Sequence, residues 1–191
     1  MRYDLPHAVR LGGKEFRINA DFRAALDIFE VLNDPELSQQ ERLTLALGFF
    51  YPEVEKIPED CLEQAVAECF RFLSGGQEEK EENKGPVLMS WEQDFPLIIA
   101  PINRVVGREI REEPFFHWWS FLGAYMEIGE CLFARVVSIR EKRRSGRKLD
   151  KADEEFYRKN REMVELPQRL TTDEKELLKH WGGIHAEKSE F

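Results

Sequence analysis

The stretch FFHWWSFLGAYMEIGECLFARVVSIREKRRSGRKLDKADEEFYRKNR, residues 115–161, constrains this chain more than any other. It opens with the densest aromatic run, turns strongly basic, and ends as a segment of mixed charge. Phe115, Trp118, Trp119, Leu122 and Met126 stand at i, i+3, i+4, i+7 and i+11, the spacing of one apolar helix face. Tryptophan and phenylalanine bury large areas, so this helix is expected at the centre of a core. After a break at Gly129, Leu132, Val136 and Ile139 repeat the pattern on a second helix. The basic run Arg140, Lys142, Arg143, Arg144, Arg147, Lys148 is then expected to leave the core for solvent or a partner. Asp150 can cap a third helix, on which Phe156, Asn160 and Met163 share a face and Asp153, Glu154 and Glu155 occupy the favourable first turn.

The order HWWSF, VVSIR, KRRSGRKLDKADEEFYRKN resembles the bacteriophage gene-product-fifteen family. The upstream segment SWEQDFPLIIAPINRVVG, residues 90–107, shares the resemblance, which extends more loosely over residues 9–160. These are small proteins of the tail module of long-tailed phages and prophages, encoded beside the tail assembly chaperone and the tape measure protein. The resemblance implies a tail-assembly role with those proteins as partners. It brings no catalytic residues.

Composition agrees with a globular chain: 42% hydrophobic and 34% charged residues in 191. No run is long enough to cross a bilayer, and MRYDLPHAVRL lacks the apolar stretch of a signal peptide. Cys61, Cys69 and Cys131 are too scattered for a disulfide framework, so a reduced bacterial cytoplasm is the expected location. The net charge of −9 is unevenly spread. Residues 135–169 hold 12 basic against 7 acidic side chains, and the rest hold 16 against 30. One basic segment on an acidic body suggests a defined contact surface, or else a solvated helix of alternating charge.

Along the chain, Val9, Leu11, Phe16 and Ile18 alternate around Gly12-Gly13, a β-hairpin signal. A type II′ turn at Gly13-Lys14 would pair Leu11 with Phe16 and is preferred over Gly12-Gly13, which would set Lys14 opposite Leu11. Three amphipathic helices follow. Phe22, Ala25, Leu26 and Phe29 mark the first. Ser38 and Glu41 box the second, with Leu43, Ala46, Leu47 and Phe50 on its face. The third starts near Pro58 and carries Leu62, Ala65, Val66, Cys69, Phe70 and Leu73, ending at Ser74-Gly75-Gly76. Ser90 and Gln93 form another box, before a helix expected to break near Phe95 and kink near Pro101, with Ile98, Ile102 and Val105 inward. A last helix from Thr171, boxed by Glu174, carries Leu177, Leu178 and Trp181. The expected architecture is mainly α, an irregular bundle of seven to eight amphipathic helices with a small N-terminal β-hairpin. It divides into 1–74 (hairpin and three helices), an acidic mobile linker 75–86, a helical portion 87–181 and a disordered tail 182–191.

Chemistry is sparse. There is no glycine-rich phosphate loop, no metalloprotease helix and no paired CxxC. His180 and His185 lack a third ligand, so no metal and no cofactor are expected. His117 has no serine or cysteine nucleophile beside it, and the carboxylates 153–155 are explained by a helix start, which together argue against an enzyme. A nucleic-acid contact through 140–151, with nearby aromatics stacking on bases, is opposed by the core-type spacing of those aromatics and by the acidic remainder. The expected function is non-enzymatic tail assembly through protein contacts. A chaperone-like protein binding the tape measure protein is the first reading and a structural tail component the second. The candidate contact residues are Arg140, Lys142, Arg143, Arg144, Arg147 and Lys148, with Phe115, Trp118 and Trp119 as core or aromatic contacts.

The segment GQEEKEENKG, residues 76–85, contains no apolar side chain to anchor it. A Glu- or Lys-specific protease should therefore cut between Gln77 and Lys84 before it cuts any predicted helix. Equal cleavage rates, read by mass spectrometry over a time course, would remove the division into two portions.

Overall fold

Two adjacent glycines set the start of the fold. Gly12 and Gly13 both have positive φ, 52° and 83°, the pair of left-handed conformations a type I′ turn requires. The computed structural model, described here for residues 4–77 and 87–166, accordingly pairs β1 (Ala8–Leu11) with β2 (Lys14–Arg17) in the register Leu11↔Lys14 and Val9↔Phe16. This is the register that hydrophobic pairing disfavoured. Two glycines satisfy both turn positions, and Leu11 is buried against helices whatever lies across from it.

Eight α-helices follow among the described residues: α1 (Phe22–Leu32), α2 (Gln39–Phe50), α3 (Leu62–Leu73), α4 (Trp91–Val106), α5 (Trp118–Met126), α6 (Leu132–Arg144), α7 (Lys151–Lys159) and α8 (Arg161–Val164). None is long and apolar enough to cross a membrane. The expected boxes at Ser38 and Ser90 differ in detail. Ser38 and Glu41 cap α2 reciprocally. Ser90 accepts from the Gln93 amide as expected, but Asp94, not Gln93, accepts from the Ser90 backbone N–H at 3.0 Å.

α4 runs unbroken through Phe95, contrary to expectation, although Pro96 and Pro101 each remove a donor. Ile98, Ile99 and Ile102 are buried around both prolines, so core packing holds the backbone helical. Val105, expected inward, is exposed. Other faces turn by one position: Phe72 rather than Phe70 is buried on α3, and Phe133 rather than Leu132 on α6. The helix expected from Phe115 begins at Trp118, leaving Phe115 45% and Met126 67% exposed. A turn at Asn160 separates α7 from α8. The expected helix from Thr171, the tail 182–191 and most of the linker lie outside the described residues.

One apolar core joins the two sides of the linker, with Phe22, Ile28, Phe50 and Phe72 meeting Ile98, Ile102, Trp118 and Phe121. The entry into this core is a short backbone pairing. Phe22 N–H donates to Phe116 O at 2.9 Å and Trp118 N–H to Ala20 O at 2.8 Å, so α1 and α5 start side by side. Asp21 caps α1 through Arg23 N–H and also accepts from Phe116 N–H. Arg23 then reaches the carbonyls of Ile110, Arg111 and Glu113. His117 caps α5: its Nδ1 accepts from Trp119 N–H, and its Nε2 lies 3.0 Å from Pro6 O. Burial lowers its pKa, which keeps Nδ1 free to accept.

Trp118 and Trp119 close the far end of α3. Their indole N–H groups donate to Leu73 O and Phe72 O, each at 2.9 Å, satisfying carbonyls that a helix end leaves without partners. Gly75 and Gly76 complete that end as a Schellman turn, with Gly76 N–H on Arg71 O and Gly75 N–H on Phe72 O. A Cβ at Gly76 would lie 2.9 Å from the Trp119 ring.

Trp118 is fully buried and Trp119 half-buried. Trp118→Ala should cost about 3–5 kcal/mol in urea unfolding and Trp119→Ala less, since less of its ring leaves water. Equal losses would contradict the burial.

Candidate functional site

Arg140 is the structural centre of the C-terminal half. Val136 and Arg140 are one turn apart on α6, so the guanidinium follows the buried stripe inward and does not join the exposed basic run as the sequence suggested. The side chain is 5% exposed and its Asp94 partner 0%. Nη1 donates to Asp94 Oδ2 at 2.6 Å and Nη2 to Oδ1 at 2.9 Å, a bidentate pair. The remaining donors meet backbone carbonyls: Nε on Val164 at 2.6 Å, Nη1 on Leu88 at 3.0 Å and Nη2 on Met163 at 3.0 Å. The Gln93 amide adds bonds to the carbonyls of Glu162 and Glu165. Arg140 and Gln93 thus fasten α4, α6, α8 and the segment entering α4 to one another.

A groove of about 1710 Å³ lies above this clasp. Its apolar lining comes from Leu26 and Phe29 of α1, Trp91 and Phe95 of α4, and Met89, Val164 and Leu166. Its charged lining is divided by element: Asp27 and Glu30 on α1, Arg143 and Arg144 on α6, Glu162 and Glu165 at α8. Partial burial, with the nearby Asp21 charge, raises the Asp27 pKa. Glu165 is held down to about 2, chiefly by the Tyr157 hydroxyl and then by Arg161. An apolar floor between charged rims suits an amphipathic segment better than a small polar substrate.

The basic residues singled out in the sequence separate into groups. Lys142 is half-buried and bonds Asp153 at 2.7 Å, and this bond lowers the Asp153 pKa. Arg143 lies 3.9 Å over the Tyr157 ring and 3.4 Å from Glu165, while Arg144 donates to Val87 O at 2.7 Å. Both line the groove and stay exposed. Arg147, paired with Glu141 at 3.2 Å, and Lys148 are exposed away from it. Trp118 and Trp119 belong to the core and the α3 cap, and exposed Phe115 lies against the His7 ring.

The α1 wall of the groove was missed, because Leu26 and Phe29 read as ordinary core positions. Asp94 did leave a signal. It stands four residues before Ile98 and eight before Ile102, a carboxylate on an apolar face. Such a residue demands a buried partner, and Arg140 is its mate.

Removing one member of a buried ion pair leaves the other charge unmatched. Asp94→Ala should cost about 3–5 kcal/mol in urea unfolding. Arg140→Met should cost at least as much, since three carbonyls also lose their donor. A loss below about 1 kcal/mol for both variants would mean that water enters the clasp.

A search of the curated proteins finds no match, and neither does a search of the solved structures. The family model described as Bacteriophage Gp15 protein matches residues 1–166, which include both strands, all eight helices and the groove. The chain belongs to the bacteriophage Gp15 protein family.

Proposed function

We propose that this protein is a non-enzymatic tail assembly factor that holds an amphipathic helix of the tape measure protein in the groove between α1, α4, α6 and α8. Family membership supplies the general part, a role in the tail module through protein contacts. The observation that carries the specific part is the groove's lining, an apolar floor with Arg143 and Arg144 along one rim. A tape measure protein is long and helical, and before tube polymerisation its apolar stripes need cover. Laying such a stripe on Phe29, Trp91 and Phe95 removes it from water, the largest favourable term in such contacts. The rim arginines, with Arg147 and Lys148 beyond them, steer an acidic partner and set the salt dependence of capture.

Reversing Arg143, Arg144, Arg147 and Lys148 to Glu tests this. All four are exposed, so the circular dichroism melt should stay within a few degrees of wild type. Co-purification with the tape measure protein should fall at least ~10-fold at low salt, the loss shrinking as salt screens the rim. Undiminished capture with a normal melt would defeat the proposal. A chaperone of this kind should also be absent from finished virions, whereas a structural component would persist there.

A further inference from the structure

The described chain ends inside the groove it has just built. Val164, Glu165 and Leu166 all line it, and Leu166 is the last described residue. The sequence continues PQRLTTDEKELLKHWGG. In it Leu170, Leu177 and Trp181 stand at i, i+7 and i+11, with Leu178 beside them, one apolar helix face. Only four peptide units separate Leu166 from Leu170, about 14 Å at full stretch, so the first apolar anchor stays within reach of the groove. Charge also matches. Asp173, Glu174 and Glu176 precede Lys179 and His180 in the segment, and the groove offers arginines on α6 and carboxylates on α1.

We infer that residues 170–181 of this chain occupy the groove in cis, so that a helical partner enters only by displacing them. This rests on the groove being the docking site proposed above and adds its regulation. A segment tethered this closely has an effective concentration on the order of millimolar, enough to exclude partners that bind weakly or singly. A partner offering a longer apolar stripe, or several in tandem, overcomes that competition. The groove then stays covered until its proper client arrives, and a soluble protein avoids presenting an open apolar floor.

The test uses the full chain and a fluorescent peptide of residues 167–185. Leu177→Asp, Leu178→Asp and Trp181→Ala, combined in the full chain, should free the groove. Anisotropy titration should show the peptide binding this variant and binding wild type at least ~10-fold more weakly. Adding Glu30→Arg at the exposed α1 rim should weaken peptide binding to the freed variant. No binding to the variant, equal binding to both proteins, or indifference to Glu30→Arg overturns the inference. A wild-type dimer that the triple variant dissociates, seen by sedimentation, overturns the cis arrangement in favour of a second copy. Tape measure capture separates the two readings. Capture that depends on the rim arginines without peptide exclusion leaves the function standing and removes this regulation. Peptide exclusion with capture indifferent to those arginines does the reverse.

Discussion

The bidentate pair of Arg140 and Asp94 is the interaction on which the C-terminal half depends. Two charges removed from water cost several kcal/mol each, and their attraction offsets this only when every remaining donor and lone pair is also matched. Here the matching is close to complete. Asp94 takes the Ser90 N–H as well as the guanidinium, and Arg140 gives its other hydrogens to three carbonyls on two separate segments. An apolar pair of equal volume would pack in the same space but would leave those carbonyls orphaned. The ion pair therefore does what a hydrophobic contact cannot: it specifies which backbone atoms of α8 and of the entry to α4 lie against α6. The groove inherits its shape from that specification, since its lining comes from the same segments.

Arg23 performs a similar service in the N-terminal half, fastening the start of α1 to the carbonyls of residues 110, 111 and 113. In both places a long cation closes a set of carbonyls that no regular element could satisfy. Short helices joined by irregular turns leave many such groups, and arginine can reach several at once. This is the physical reason why a chain of modest apolar content can build eight helices around one core. Polar closure does at the joints what apolar area does in the interior.

Period and capping were legible in the sequence, and directions at the margins were not. The helices at Phe22, Gln39, Trp91 and Lys151 begin where Asp21, Ser38, Ser90 and Asp150 announce them, because a cap is a local bond. The hairpin register was misread because hydrophobic pairing was weighed above the turn, whose two glycines held the stronger constraint. Phe115 was placed on a helix that His117 in fact starts two residues later, a cap that the usual list of capping residues does not include. Arg140 was read with its charged neighbours, although its spacing from Val136 put it on the buried face. Half of the groove was invisible for a different reason: α1 reaches it only through tertiary packing, which no local pattern encodes.

The tandem indoles on the end of α3 have a consequence for how this chain can be altered. Residues 72–76 are fixed by Trp118, Trp119 and the Schellman turn, while Val87 and Leu88 are fixed by Arg144 and Arg140. Both banks of the acidic stretch are thus anchored by side chains that lie elsewhere in the chain, and neither bank relies on the stretch between them. Lengthening that stretch then changes little besides loop closure, a penalty that grows only with the logarithm of length, about 0.6 kcal/mol per doubling. The position is an insertion port: an epitope or a small folded module placed there would leave both anchorages intact, giving a handle on the protein at a distance from its groove-lining arginines.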